Sequence, residues 1–515
     1  MKRNWILLLA LLLALGLCAC RDTESEEAVL LPEAEEAEPE GLEPPATEAP
    51  AQYPEETEPS AFSIGYYSHL GLNPFTCDNT INRGVISLLY ESLFSIGPDF
   101  AVESCLAESC QKSGSRWLLT LREGVSFWNG ETMTAEDVRR SLEMAAGGQS
   151  IWQKQLAPMS GLRVEGERTL SFQWAEERGE LTALLNIPVV QSGTEGETIP
   201  MGTGPYLPDL EEGTVHALSE NLNWWQQLPL FVSGIELWTS EDSALLISAF
   251  EQGKVTLVTS DLTDSDSLGY SSRYEAWDYP TSHLLYLGCN TAAGPCRDQA
   301  LRQALLTAID RETIVHSLLS GHATASPLTF HPNSPWYDSQ LADSLAATDD
   351  QSALERWQGE ELTIVVCSES SFKTTVAGYI AASLTERGLK VSVSALNWSG
   401  YQQALESGDY DLYLGEVKLK ADFDPGVFLT PGESLNYSGF YSRITSDALA
   451  AWLASDADGR AAAASALAQC IAQQAPILPI CFEEHSVLTD WGRVEALETT
   501  QYTLFYQPSQ WKLAD

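Results

Sequence analysis

The sequence predicts an α/β protein with a largely parallel sheet, on three observations. From position 362 strand and helix signals alternate, over residues 362–367, 374–387, 389–393, 401–406 and 410–414. Such alternation implies right-handed crossovers between parallel strands. Residues 118–145 (LLTLREGVSFWNGETMTAEDVRRSLEMA) pack strand, turn and helix signals into one short αβ unit. A chain of 515 residues, 44% hydrophobic and 19% charged, is long enough for two or three domains, each burying its own core.

Taken in order, Lys2 and Arg3 precede an apolar run over residues 5–17, too short to span a bilayer comfortably and suited to a secretory signal peptide. Residues 21–60 are dominated by Glu, Ala and Pro and nearly lack Lys and Arg. Too few large apolar groups remain there to offset chain entropy, so a disordered acidic tether, extended by self-repulsion, is expected. The folded body begins with a strand at residues 61–67, broken by Leu72-Asn73-Pro74. A helix follows over residues 82–94, with Val85, Leu88, Leu89 and Leu93 at helical spacing.

In the 118–145 unit, Leu119 and Leu121 face Val125 and Phe127 across Glu123-Gly124, which reads as paired strands around a tight turn. Asn129-Gly130 favours a second reversal. Thr134, with Asp137 three positions on, forms a capping-box pattern ahead of Val138, Leu142 and Ala145. Residues 235–238, 243–251 and 255–259 read as strand, helix and strand. Residues 284–290 read as a strand ending in Asn290, and 298–310 as a helix. In open parallel sheets ligands bind beyond the carboxyl ends of the strands. Asp422-Phe423-Asp424-Pro425 and Asn436-Tyr437, soon after the last strand, are therefore the leading cleft candidates.

The formal net charge of -44 argues against nucleic-acid binding, which needs clustered Lys and Arg. Eight cysteines follow position 20. Cys105 with Cys110, or Cys289 with Cys296, could close small disulfide loops, and free buried thiols are equally open. There is no CxxC, HExxH or GxSxG motif, and His316, His322 and His331 do not form a pair at one-turn spacing. No enzyme activity, cofactor or metal is expected. Gly202-Thr203-Gly204-Pro205-Tyr206 lacks the Lys-Ser/Thr of a phosphate-binding loop.

LYESLF at 89–94, LAES at 106–109, LREGVSFWNGE at 121–131 and TAEDV at 134–138 resemble, in order and spacing, the signature of the family 5 extracellular solute-binding proteins. These serve oligopeptide, dipeptide and nickel ABC importers. The GTGPY turn at 202–206, Asn221 with Trp224-Trp225, a second block from Asn290 to Pro327, and PILP at 476–479 extend the resemblance. It implies a fold like the type II periplasmic binding proteins, with two lobes, a hinge and a small αβ subdomain. Lobe I would comprise residues 61–93, 200–280 and 488–515, the subdomain 94–199 and lobe II 281–487. The ending Leu17-Cys18-Ala19-Cys20 resembles a lipoprotein signal, with Cys20 as the lipidated residue after the small Ala19 and residues 1–20 removed as signal. Two acyl chains give a stable anchor.

The function so implied is extracytoplasmic capture of a peptide or peptide-like solute in an interlobe cleft, for delivery to permease subunits with a cytoplasmic ATPase. The protein would be a monomer tethered to the membrane by lipid. A nickel chelate or other non-peptide solute, or a sensor or adhesion role without transport, is the alternative. Tyr67, Asn290, Asp422, Asn436 and Tyr437 are the candidate ligand contacts. In peptide-binding members an Asp before an Asp/Glu-Pro pair holds the ligand ammonium, a charge-assisted contact. Here Asp422 stands one place later than that spacing, and Ala421 occupies the expected position.

Overall fold

The first described strand, β1 (Ser63–Tyr67), is buried at all five residues, as suits a strand covered on both faces. The computed structural model describes residues 62–260, 274–346 and 351–514. Cys20, the signal segment and the acidic tether lie outside them. β1 leads into α1 (Thr80–Leu89), capped by the Asn79 side chain, which accepts from Asn82 N. The Asn82 side chain reaches back to β1, accepting from Tyr67 N at 2.8 Å and donating to Tyr67 O and Gly71 O, both at 2.9 Å. The helix stops at Leu89, short of the expected Phe94, because Tyr90 is extended and Leu93 N turns to Ile187 O.

The hairpin of β2 (Phe94–Ile96) and β3 (Val102–Ser104) precedes a four-stranded sheet. That sheet contains β4 (Ala107–Ser113), β5 (Arg116–Leu121), β6 (Met159–Gly166) and β7 (Thr169–Trp174), in the order β4-β5-β7-β6. Here one expectation is corrected. β4 and β7 already flank β5, so Val125 and Phe127 cannot pair with it. They lie in a loop in which Phe127 N donates to Glu131 O and Met133 N to Val125 O. Both turns form as read, Gly124 and Gly130 having φ of 80° and 83°. Thr134 and Asp137 make the capping box that starts α2 (Ala135–Ala145).

The chain then builds β8 (Tyr206–Glu211), β9 (Thr214–Glu220), β10 (Gly234–Ser240), α3 (Ser243–Glu251) and β11 (Leu257–Ser260). β1 is parallel to both β10 and β11. The long β12 (Tyr274–Cys289) follows, then α4 (Gln299–Ala308) and β13 (Ala323–Ala325). Next come β14 (Glu361–Cys367), α5 (Ser371–Glu386), β15 (Lys390–Leu396), α6 (Trp398–Ser407) and β16 (Leu412–Lys418). β14 is parallel to β15 and β16, as the alternation requires. Helices α7 (Arg443–Ala454) and α8 (Arg460–Gln474) lead into the long β17 (Ile477–Asp490).

These strands form one mixed sheet in the order β15-β14-β16-β12-β17-β11-β1-β10-β9-β8, with β13 also on β17. Its middle pair, β12 and β17, is antiparallel and joins two apolar cores. Residues 274–280 of β12 pair with 484–490, and 284–288 pair with 477–482, with a register shift between Pro280 and Leu284. The first core gathers Phe62, Val85, Leu119, Phe172 and Val487. The second covers both faces of the other half-sheet, with Leu285, Ile364, Val376 and Leu478 on one side and Tyr286, Phe330, Phe423 and Trp452 on the other. All eight described cysteines are free thiols. No helix among the described residues is long and apolar enough to cross a membrane.

Candidate functional site

Where β12 and β17 pass from one core to the other, three strands bring charged groups together. His283 on β12 has Nδ1 3.5 Å from Glu416 Oε1 on β16, and Lys373 in the first turn of α5 reaches Glu416 Oε2 at 2.5 Å. Burial would raise the Glu416 carboxyl, but the His283 contact and the Lys373 ammonium hold it down to about 2. The buried Glu483 on β17 completes a group in which one ligand atom each from His283, Glu416 and Glu483 lies within 4.8 Å of the others. An imidazole nitrogen and two carboxylates suit a first-row divalent ion. The position is the carboxyl end of β16 and the N-terminus of α5, where open α/β sheets hold ligands.

Four of the five sequence-derived candidates have internal duties. Asn290 donates to Gly408 O and Tyr410 O and accepts from Ala292 N and Ala293 N. Asn436 closes a turn with Phe440 through both its backbone groups. Tyr67 is buried in a small cluster with Leu246, Phe250 and Leu488. Asp422 is 1% exposed, and its Oδ2 accepts from Arg178 Nη1 at 2.6 Å, while Arg178 Nη2 donates to Asp424 Oδ2 at 2.7 Å. Arg460 stands 3.9 Å from Asp422 and lies over the Trp452 ring. Burial alone would lower the Arg178 guanidinium, and the facing Asp422 and Asp424 outweigh it and raise it. The cation expected from a ligand at Asp422 is thus supplied by the chain itself. Tyr437 is 37% exposed and meets the Tyr413 ring edge-on.

Sequence reasoning missed a cavity of about 880 Å³ beside α1. Its wall includes Arg83, Ser87, Tyr90 and Glu91, the β2–β3 hairpin, Trp152, Trp224-Trp225-Gln226, and Tyr502 with Phe505 and Tyr506. No residue between 284 and 482, and none of the five candidates, lines it. Glu91 accepts from Trp225 Nε1 and Gln226 Nε2, both at 2.7 Å, and burial pushes its carboxyl up to about 7. The Arg83 guanidinium lies over the Trp152 ring, 5.4 Å from its centroid, and burial lowers its affinity for the proton.

Two cores bridged by a pair of unbroken strands, with charged groups converging at the crossing, define a two-lobed solute-binding protein of the type II periplasmic class. The family described as "Bacterial extracellular solute-binding proteins, family 5 Middle" matches residues 101–436. The chain belongs to this family, the extracytoplasmic solute-binding proteins of ABC importers, which are binding proteins rather than enzymes. It is 21% identical over 454 residues to the glutathione-binding protein GsiB of Salmonella typhi, covering 80% of this chain and 87% of that one. To the nickel-binding periplasmic protein of Escherichia coli K12 it is 23% identical over 400 residues, covering 69% and 75%. The crystal structure of a nickel ABC transporter protein from Bacillus halodurans superposes with a TM-score of 0.73 at 20% identity, covering 88% of this chain and 99% of that one. At that identity the superposition speaks for the fold.

Proposed function

We propose that the protein captures a small peptide or peptide-like solute, closes its lobes on it and presents it unchanged to a membrane permease driven by a cytoplasmic ATPase. The observation that carries this reading is the crossing itself. β12 and β17 run unbroken between the cores, and their register slips between Pro280 and Leu284. A paired-strand crossing with a local irregularity can bend without unpairing either half, which is what hinge closure asks of a backbone. Lobe I is taken as residues 61–93, 200–280 and 488–515, the subdomain as 94–199 and lobe II as 281–487. Of the five candidate contacts, the partly exposed Tyr437 is the one available to a solute, while Tyr67, Asn290, Asp422 and Asn436 are buried. The protein acts as a monomer held to the membrane through Cys20.

Native mass spectrometry of protein purified without denaturation should detect a co-purified peptide-like solute. Small-angle scattering should show contraction when that solute is restored to stripped protein. Constant dimensions with and without it would overturn the hinge reading. Radiolabelled palmitate should enter the wild type and not Cys20→Ser.

A second reading, favoured by His283, Glu416 and Glu483, is that the solute is a divalent-metal chelate. Calorimetry with nickel–histidine separates the two: saturable binding abolished by His283→Ala supports the chelate, and absence of heat removes it.

A further inference from the structure

Of the two cysteine pairs close enough in sequence to close small loops, the structure brings one together. Cys289 ends β12, and Cys296 lies in the short 3₁₀ turn Pro295–Arg297 that precedes α4. Both are buried in the second core, and their thiols are hydrogen-bonded to each other. Cys105 and Cys110 have different neighbours, Glu91 and Arg122 for the first and Glu180 for the second.

The backbone fixes both ends of the loop between Cys289 and Cys296. Cys289 pairs with Leu412 on β16, and Asn290 N donates to Asp411 O. The Asn290 side chain accepts from Ala292 N and Ala293 N, which turns the chain at once. Gly294, at a φ of 66°, then comes back to the same strand, so close that a Cβ there would lie 2.4 Å from Asp411 Oδ1. Departing and returning chain thus abut adjacent residues of β16. Arg302 secures the far end, its Nη1 donating to Cys296 O at 2.8 Å. A disulfide stores strain when its cysteines must be dragged together. Thiols already in contact at the ends of a fixed loop join without moving strand or helix.

The family is extracytoplasmic, and disulfides form and persist in exported proteins. We propose that Cys289 and Cys296 are joined as a disulfide during export, a covalent staple between the end of β12 and the turn before α4. The step is thiol–disulfide exchange with an extracytoplasmic disulfide donor. One thiolate attacks a donor sulfur and opens the donor's S–S bond. The second thiolate then resolves the mixed disulfide, and the donor leaves as a dithiol carrying the two electrons and two protons. Exchange belongs before folding is complete. In the folded chain the contact with Cys289, then burial, pushes the Cys296 thiol up, away from the reactive thiolate. The same burial shields the finished bond from reductants. The closed loop carries Thr291, whose Oγ1 lies 3.0 Å from Ser438 Oγ, beside Tyr437. The staple therefore steadies the turn on which that candidate contact stands, whichever solute is bound.

The test exports the full chain from a bacterial host, denatures it at lysis in urea with N-ethylmaleimide and digests it with trypsin without reductant. Both cysteines fall in one tryptic peptide, residues 274–297. That peptide should be two hydrogens lighter than its dithiol form and carry no alkyl group, in wild type and in Cys105→Ala and Cys110→Ala alike. Reduction in urea before alkylation should add two alkyl groups, whereas dithiothreitol applied to the folded protein and removed before denaturation should add none. The oxidised form should melt about 2–5 °C above the reduced form. Two alkyl groups on the peptide without any reduction, or its linkage to a peptide bearing another cysteine, would overturn the assignment. Equal melting of the two forms would overturn the staple.

Discussion

Replacing Arg178 with Met should destabilise the folded chain by about 3–5 kcal/mol, the usual penalty for removing one partner of a buried ion pair. The geometry places the value toward the upper end. Arg178 and Asp422 are each 1% exposed, and one guanidinium serves two carboxylates, Asp422 at 2.6 Å and Asp424 at 2.7 Å. Without it Asp422 keeps Arg460, at 3.9 Å, and the weaker pull of Lys420, and still faces the charge of Asp424. Burial and then Asp424 already push the Asp422 carboxyl up, against the pull of Arg178 and Arg460. Removing Arg178 raises it further, so the folded variant binds a proton at a pH where an unfolded Asp, near 3.9, does not. When the folded state binds more protons, stability rises as pH falls. The deficit against wild type should therefore shrink between pH 7 and pH 5 in urea unfolding, and adding Asp422→Asn should recover part of it at pH 7. A deficit under about 1 kcal/mol at pH 7, or one that grows on acidification, would refute the reasoning, since the penalty comes from an uncompensated buried charge.

Gly179→Ala should cost at least about 1–3 kcal/mol in the same assay, because a Cβ there would sit 2.2 Å from Ser455 O and 2.4 Å from Ala454 O, backbone atoms that cannot swing aside. Glu416→Gln removes a carboxylate held down to about 2. Its contribution is present above the unfolded value and lost as pH falls toward 2. Wild type should thus exceed the variant by up to about 3 kcal/mol at neutral pH, less with solvent screening, and the gap should close between about pH 4.5 and 2. Thr134→Ala should lose about 1 kcal/mol by urea midpoint while Thr134→Ser stays near wild type, since the hydroxyl's contacts with the N3 amide and the Asp137 carboxylate go while the bond from Thr134 N to Asp137 Oδ2 remains. In scattering without added solute, folded Arg178→Met should keep the wild-type radius of gyration, because the junction it belongs to moves with the second core. A larger radius would mean that the pair restrains the lobes.

What the sequence reveals here is mostly local. The Thr134–Asp137 cap, the Gly124 and Gly130 turns and the alternating units after position 362 each depend on a few adjacent residues, and all form. Apolar spacing misled where a partner far along the chain decided the outcome. Leu93 continues the helical stripe of α1, yet its amide belongs to Ile187 O. Val125 and Phe127 alternate like a strand, yet β7 holds the edge they would need. Asp422 was readable as a buried acid awaiting a cation, and nothing near it announces that Arg178, 244 positions earlier, provides one. The cavity beside α1 was not legible because its wall is assembled from distant parts of the chain, Arg83 and Glu91 meeting Trp152, Trp225 and Phe505.

The Arg178 pair also bears on where the moving bodies divide. Arg178 and Gly179 belong by sequence to the stretch expected to form a subdomain, but Gly179 N donates to Leu453 O and Arg178 locks onto Asp422 and Asp424, all in the second half of the chain. Ile96 and Phe100 are likewise packed into the second core, Phe100 meeting the Phe423 ring edge-on at 4.9 Å. A motion that parts the cores must either break these contacts or carry residues 96–100 and 176–183 along with the second core. Breaking them costs several kcal/mol, offset in part as the freed charges regain water. A solute bound with micromolar affinity releases about 8 kcal/mol in all, and only its preference for one form can shift the balance. Closure driven by a small solute is therefore affordable only if most of these contacts persist in the open form, which sets the bending at the β12–β17 crossing and leaves the Arg178 junction intact.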